Sequence, residues 1–213
     1  MKPEGPCILN LHKFDKPETN QDPVVVSVRS VLSFTRNSND SECFSMLLFY
    51  NPKATKPRNR RFPLSILAIA AVVEGKEDYA IVDGNLDPHP TETLVGIIKE
   101  KPVELLAVTV MPGPQTVGAV ATCREIRARF PNLPIVWGGY FASNYTAAAL
   151  NAGYVDYAIR GQGEKTFLEL VDAIRGHRDL KDIRGLSYKT PDGTPRHNPE
   201  RPMSGLDDFP WYP

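Results

Sequence analysis

The stretch "IVWGGYF", residues Ile135–Phe141, is a short apolar run that stops at two glycines, Gly138 and Gly139, with two aromatics, Tyr140 and Phe141, behind them. Further along, "YAIRGQGE" (Tyr157–Glu164) repeats the pattern: an apolar run stops at Gly161 and Gly163, and Glu164 follows. Neither run alternates polar and apolar residues. Each therefore has the signature of a strand covered on both faces, which is the habit of parallel sheets. Both end in residues without side chains, which leaves backbone open where strand passes into loop.

Working outward from these two runs, the chain alternates strand and helix signals. "CFSMLLFY" (Cys43–Tyr50) is a continuous apolar run of strand length. "PLSILAIAAVVEG" (Pro63–Gly75) has helical periodicity, with Pro63 in the first turn and Gly75 just past the end. "YAIVDGNL" (Tyr79–Leu86) reads as a strand and "TETLVGIIKEK" (Thr91–Lys101) as a helix capped by Thr91. "LLAVTVM" (Leu105–Met111) is a strand and "QTVGAVATCREIRARF" (Gln115–Phe130) a helix. "YTAAALNAG" (Tyr145–Gly153) reads as a short helix between the two glycine-ended strands, and "EKTFLELVDAIRG" (Glu164–Gly176) as the last helix. Strands joined by short helices imply right-handed crossovers and an α/β fold. The predicted architecture is a flavodoxin-like, Rossmann-like doubly wound sheet of five parallel strands, order 2-1-3-4-5. A C-terminal hairpin around Asp192-Gly193 and an extended linker ending "LDDFPWYP" follow it.

Residues 1–42 are polar, proline-bearing and aperiodic. They read as an irregular extension with "VVVSVRSVLSF" (Val24–Phe34) as a possible strand, or as sequence upstream of a true start near Met46. The expected organisation is thus an extension over 1–42, a binding domain over 43–180, and a hairpin and linker over 181–213. The 25 basic and 25 acidic residues cancel, which argues against a nucleic-acid or membrane-surface partner. There is no signal-peptide core and no apolar run of spanning length, so a cytoplasmic location is expected. The three cysteines, Cys7, Cys43 and Cys123, are scattered, which suits free thiols rather than a metal cluster.

In a doubly wound sheet, ligands bind outside the carboxyl ends of the strands. Here those ends are "NPKATKPRNRRF", "DGNLDPHP", "TVMPGP", "GGYFASN" and "GQGE". Taken singly, each has a plain reading. Gly138-Gly139 makes a tight turn, Glu164 favours a helix start through the dipole, and Arg58, Arg60 and Arg61 are solvated surface. Taken together, the ordered set "RRFPLSILAIAAVVEG", "IVDGNL", "TVM", "PIVWGGYFAS", "VDYAIRGQGEKTFLELVDAI" and "IRGLSYKTPDG" closely resembles the N-terminal cobalamin (B12)-binding domain of class B radical S-adenosylmethionine enzymes. The resemblance covers about residues 43 to 213 and is most specific in the "GG" to "GQGE" block.

What the resemblance implies is a corrin ring lying over the carboxyl edge of the sheet, with its nucleotide tail running into the domain. Cobalamin domains at large carry Asp-x-His-x-x-Gly after strand one, Ser-x-Leu at strand three and Gly-Gly at strand four. Thr109-Val110-Met111 stands at the second place and Gly138-Gly139 at the third, Gly138 standing 27 positions after Met111. The site implied comprises Thr109, Val110, Met111, Pro112, Gly138, Gly139, Tyr140, Phe141, Gly161, Gly163 and Glu164. The first part is missing, because "NPKATKPRNRR" holds no histidine. Asp87 and His89 have the Asp-x-His spacing but follow strand two, and Glu92 stands where the glycine belongs. The resemblance therefore implies a cobalt with no protein imidazole beneath it.

The family's catalytic domain carries a Cys-x-x-x-Cys-x-x-Cys motif, and no such spacing occurs in these 213 residues. Three thiolates are what a [4Fe–4S] cluster with an open site requires. The chain is therefore read as the cofactor-carrying part of a B12-dependent radical enzyme, for methyl transfer or related chemistry. Its partner is a radical domain, in cis or in trans, and no catalytic residue or metal ligand is assigned to the chain itself. Two other classes share the fold. A phospho-receiver needs an acceptor Asp at the end of strand three, where this chain has "TVMPG". A flavodoxin-type flavin or nucleotide binder needs a short Ser/Thr/Gly-rich first loop, where this chain has a long, proline-broken one.

Overall fold

The computed structural model describes residues 25–26, 45–59 and 61–213. Eight strands form one sheet: β1 (Val25–Val26), β2 (Met46–Asn51), β3 (Asp78–Asp83), β4 (Val103–Thr109), β5 (Ile135–Gly138), β6 (Tyr157–Ile159), β7 (Leu186–Lys189) and β8 (Pro195–His197). Their order is β1-β3-β2-β4-β5-β6-β7-β8. The five central strands, β3-β2-β4-β5-β6, are all parallel and reproduce the expected 2-1-3-4-5 order. The hairpin at Asp192-Gly193 forms, with Gly193 at φ +83, and it extends the same sheet, because β7 pairs antiparallel with β6. At the other edge β1 pairs antiparallel with β3, which gives the expected strand within 24–34 two described residues. The rest of that segment lies outside the described residues, as do Cys7, Cys43 and Arg60.

Among the described residues, six α-helices accompany the strands: α1 (Leu64–Val73), α2 (Pro90–Glu100), α3 (Pro114–Arg129), α4 (Gly139–Asn144), α5 (Thr146–Asn151) and α6 (Glu164–Ile174). The period-two geometry of the strands sends alternate side chains to opposite faces. Leu47, Phe49, Tyr79, Ile81, Leu105 and Ala107 pack with α1 and α6 on one face. Leu48, Tyr50, Ala80, Val82, Leu106 and Val108 pack with α2, α3 and α5 on the other. That is why these strands are apolar without alternation. At the amino edge, Arg175 after α6 bonds Glu77 before β3 and Glu104 on β4, which pins the helix layer to the sheet. Those two carboxylates hold its guanidinium pKa above the ordinary value.

Two local expectations need correction. Thr91 does not cap α2, which begins at Pro90 with His89 at the cap position. Asp87 does the work instead: it accepts from the His89 amide at 2.8 Å and the Thr93 hydroxyl at 2.6 Å. The Thr91 hydroxyl pairs with that of Thr122 on α3 at 2.8 Å. The second correction concerns "GYFASN", which is a helix of its own, α4, because Gly139 turns the chain at φ +84 directly out of β5.

Candidate functional site

At the carboxyl edge, Thr109 of β4 and Gly138 of β5 lie side by side in register. Between these strand ends and the pair α1 and α6 lies a cleft of about 210 Å³. Its walls are mostly apolar: Phe49, Val136 and Ile159 from the strands, Ile66 and Ile69 from α1, and Phe167 from α6. Its polar lining is sparse. Ser65 and Thr109 place their hydroxyls 3.0 Å apart, each able to satisfy the other. Gln162 accepts from the Ser204 amide at 2.7 Å, which ties the C-terminal segment to the "GQGE" loop. Glu164 has one carboxylate oxygen, Oε2, that is buried and meets no hydrogen-bond donor among the described residues.

The glycines divide into two kinds. At Gly138 the backbone is extended (φ −126), and a Cβ built there would meet nothing within 4 Å. Nothing in the backbone demands a glycine there, and its missing side chain opens the cleft. At Gly139 the opposite holds. Its φ is +84, and a Cβ would stand 3.1 Å from Thr109 Oγ1 and 3.1 Å from the Val110 carbonyl oxygen. Gly138 thus leaves open space at the cleft, whereas Gly139 is required by the turn itself. Gly161 also turns in the left-handed region (φ +70), and its amide donates to Ser143 Oγ of α4 at 2.9 Å. Gly163 lets α6 close on α1, since a Cβ would lie 3.3 Å from Ile69 Cδ1.

Of the residues expected at the site, Thr109, Gly138, Gly139, Gly161, Gly163 and Glu164 line the cleft together. Val110 does not; it is fully buried on the other face. Phe141 also turns to that face, with its ring 6.0 Å from that of Trp137. Met111 and Pro112 lie exposed in the loop after β4, and Tyr140 lies exposed in the first turn of α4. Phe62 and Leu64, at the start of α1, are exposed at the same edge, so several large apolar side chains face solvent there.

A second feature was missed from the sequence: a buried polar network at the ends of β2 and β3. Asn51 donates to Asp83 at 2.8 Å, and Gln115 of α3 donates to Asn51 Oδ1 at 2.8 Å and the Pro52 carbonyl at 3.1 Å. Gln115 Oε1 in turn accepts from the Met111 amide at 3.0 Å. Asn85 Oδ1 accepts from the amides of Ala54 and Thr55. Gly84 permits this approach, since a Cβ there would lie 2.9 Å from the Lys53 nitrogen. The network fixes the loops after β2 and β4. Its signal in the sequence was a polar residue, Asn51 or Asp83, closing an otherwise apolar strand.

His89 is exposed at the start of α2, and Asp87 is engaged in the local turn, so the Asp-x-His spacing here is loop chemistry. Cys123 is fully buried on the α3 face, where it accepts from Trp137 Nε1 at 3.3 Å, and burial pushes its thiol up to about 12. Among the described residues, no group of three or more His, Cys, Asp or Glu is placed to hold a metal ion, and no helix is long and apolar enough to cross a membrane.

The family model of the B12 binding domain matches residues 54–171, more than half of the chain and the whole stretch from the loop after β2 to α6. The chain belongs to the B12-binding domain family. Among curated proteins, the B12-binding chain is 32% identical over 154 residues to an uncharacterized methyltransferase of Pyrococcus horikoshii, covering 70% of this chain and 32% of that protein. It is 27% identical over 138 residues to the anaerobic magnesium-protoporphyrin IX monomethyl ester cyclase of a Synechocystis strain, covering 62% of this chain and 27% of that protein. The chain thus spans about a third or less of these relatives. Among solved structures, the fold matches the radical S-adenosylmethionine methyltransferase TsrM of Kitasatospora setae, solved with cobalamin and a [4Fe-4S] cluster bound. The TM-score is 0.61 at 24% identity, over 78% of this chain and 31% of that one. It also matches the cobalamin-dependent radical enzyme OxsB with aqua-cobalamin bound, at a TM-score of 0.60 and 15% identity, over 75% of this chain and 23% of that one. The resemblance seen in the "GG" and "GQGE" blocks is borne out at the level of family and fold.

Proposed function

We propose that this B12-binding domain takes cobalamin at the carboxyl edge of the sheet, with the corrin over the exposed apolar residues of the strand-end loops and the nucleotide tail in the α1/α6 cleft. The observation that carries this reading is the cleft itself: an apolar slot open at Gly138, beside a buried carboxylate oxygen without a donor. Polar atoms left orphaned in a folded protein point to a missing partner. When bound, cobalamin supplies a cobalt centre able to carry a methyl group. The chain's own residues contribute binding and orientation. Thr109 and Ser65 present hydroxyls, Gly138 provides space, and the Asn51–Asp83–Gln115 network holds the loops that border the corrin.

No protein histidine is proposed beneath the cobalt. The loop after β2 offers none, and His89 sits exposed at the start of α2. By this reading the chain is the cofactor-carrying part of a B12-dependent radical S-adenosylmethionine enzyme, completed by a radical domain in cis or in trans, and the chain alone carries no methyltransferase activity.

The test is direct. Purified chain mixed with hydroxocobalamin and desalted should keep one corrinoid per chain, seen in the visible spectrum. The Co(II) form should then show an electron spin resonance signal without strong nitrogen coupling on its axial lines. A colourless protein after desalting defeats the reading. Nitrogen coupling that disappears in His89→Ala defeats the claim about the lower face alone.

A further inference from the structure

We propose that Glu164 is the residue that recognises the nucleotide tail, by accepting a hydrogen bond from a neutral donor that the tail carries into the cleft. This assignment rests on the cobalamin reading above. Among the described residues, the cleft has one polar side-chain atom that is buried and unsatisfied, Glu164 Oε2. The other polar pair in the slot, Ser65 and Thr109, is satisfied internally. The neighbouring cation does not answer Glu164 either: Lys165 lies 5.5 Å over the Phe209 ring and 3.9 Å from Asp208. Glu164 is the first residue of α6, whose start sits close against Ile69 and Ile159: a Cβ at Gly163 would lie 3.3 Å and 3.4 Å from them.

The chemistry of that oxygen selects its ligand. A carboxylate oxygen among Ile66, Ile69, Ile159 and Phe167 accepts hydrogen bonds and repels anions, so the phosphate of a nucleotide tail stays out of this end of the slot. What satisfies it is an O–H of the tail ribose or an N–H of the tail base. Both give the same hydrogen bond, and they are distinguishable. A benzimidazole base offers no N–H when neutral, whereas an adenine base offers an amino group.

The experiment compares three corrinoids by absorbance titration: cobinamide, which has no nucleotide tail, cobalamin, and an adenine-bearing cobamide. Each is titrated into wild type, Glu164→Ala and Glu164→Gln, with thermal melting of each unliganded protein as the check on folding. The expected result is that Glu164→Ala loses about tenfold or more in affinity for the adenine-bearing cobamide, loses as much for cobalamin if the ribose is the donor, and loses nothing for cobinamide. Glu164→Gln should lose less, because its amide oxygen still accepts. A larger loss for the adenine-bearing cobamide assigns the donor to the base, and an equal loss assigns it to the ribose. Unchanged affinity for both tailed corrinoids in Glu164→Ala overturns the assignment, and so does an equal loss for cobinamide. A wild type that binds none of the three overturns the cobalamin reading, and this assignment with it.

Discussion

The two sides of the carboxyl edge are built from the same strands and end differently. On the α2/α3 side, every strand-end polar group described above has a partner: Asn51, Asp83, Asn85 and Gln115 bond one another and the loop amides. On the α1/α6 side the strand ends face a slot with apolar walls, an open Gly138 and an orphaned Glu164 oxygen. Polar groups at the strand ends of the first side are satisfied within the fold, and the Glu164 oxygen in the cleft is not. That difference is what the proposed binding reading rests on.

Four substitutions set that contrast against measurement. The largest effect is expected at the paired glycines. Gly138→Val fills open space in the slot and should lower cobalamin affinity about a hundredfold or more, roughly 2.7 kcal/mol. Its melting temperature should barely move, because φ there is −126 and no atom lies near the new Cβ. Gly139→Ala should do the reverse and lower stability by about 1–2 kcal/mol through the left-handed backbone alone. Equal behaviour of the two variants, in calorimetry and in corrinoid titration, would erase the division drawn between them.

Next in size is the scaffold side. Gln115→Ala strands Asn51 Oδ1 and the Pro52 carbonyl in a buried setting, and each such loss costs about 1–3 kcal/mol. Chemical denaturation should show a loss of roughly 2–3 kcal/mol. Cobalamin affinity should fall as well, since the same side chain orders the loops after β2 and β4. A stable protein with slack loops would show the network to be ornament.

The smallest effect is in the pH dependence of the core. Burial pushes the Cys123 thiol up to about 12, and the Tyr50 phenol likewise to about 12. Both are acids held neutral by the fold. The unfolded chain therefore releases those protons first, and stability falls as pH rises between the unfolded and folded values. The Cys123 contribution begins near the ordinary thiol value of about 8.5 and has a slope of at most roughly 1.4 kcal/mol per pH unit. Cys123→Ala should flatten that decline between pH 9 and 11 in urea titrations. An unchanged slope would remove the thiol from the balance.

How much of this was legible in the sequence depended on the range of the physics involved. The parallel centre was legible because burial on both faces writes itself as unbroken apolar runs, and "MLLFY", "YAIVD" and "LLAVT" need no partner to be recognised. The turn at Asp192-Gly193 was legible because a left-handed residue is a local demand. The Thr91 cap failed on equally local grounds: Pro90 takes the first helical position, and Asp87, three residues earlier, reaches Thr93.

By itself, the sequence determined the order of the five central strands, the glycines at the ends of two of them, and the absence of a histidine from the first loop and of clustered thiolates from the chain. These follow from residue type and spacing along the chain. Only the tertiary structure decided which glycine makes room and which makes a turn, because Gly138 and Gly139 differ in φ and in what lies across from them, not in identity. It packed Phe141 against Trp137 on the opposite face, the face to which the strand period of two carries Val110 with Leu106 and Val108. It also brought Gln115 to Asn51 and left Glu164 without a donor. Satisfaction of a polar atom depends on neighbours far away in the chain, and no reading of adjacent residues contains them.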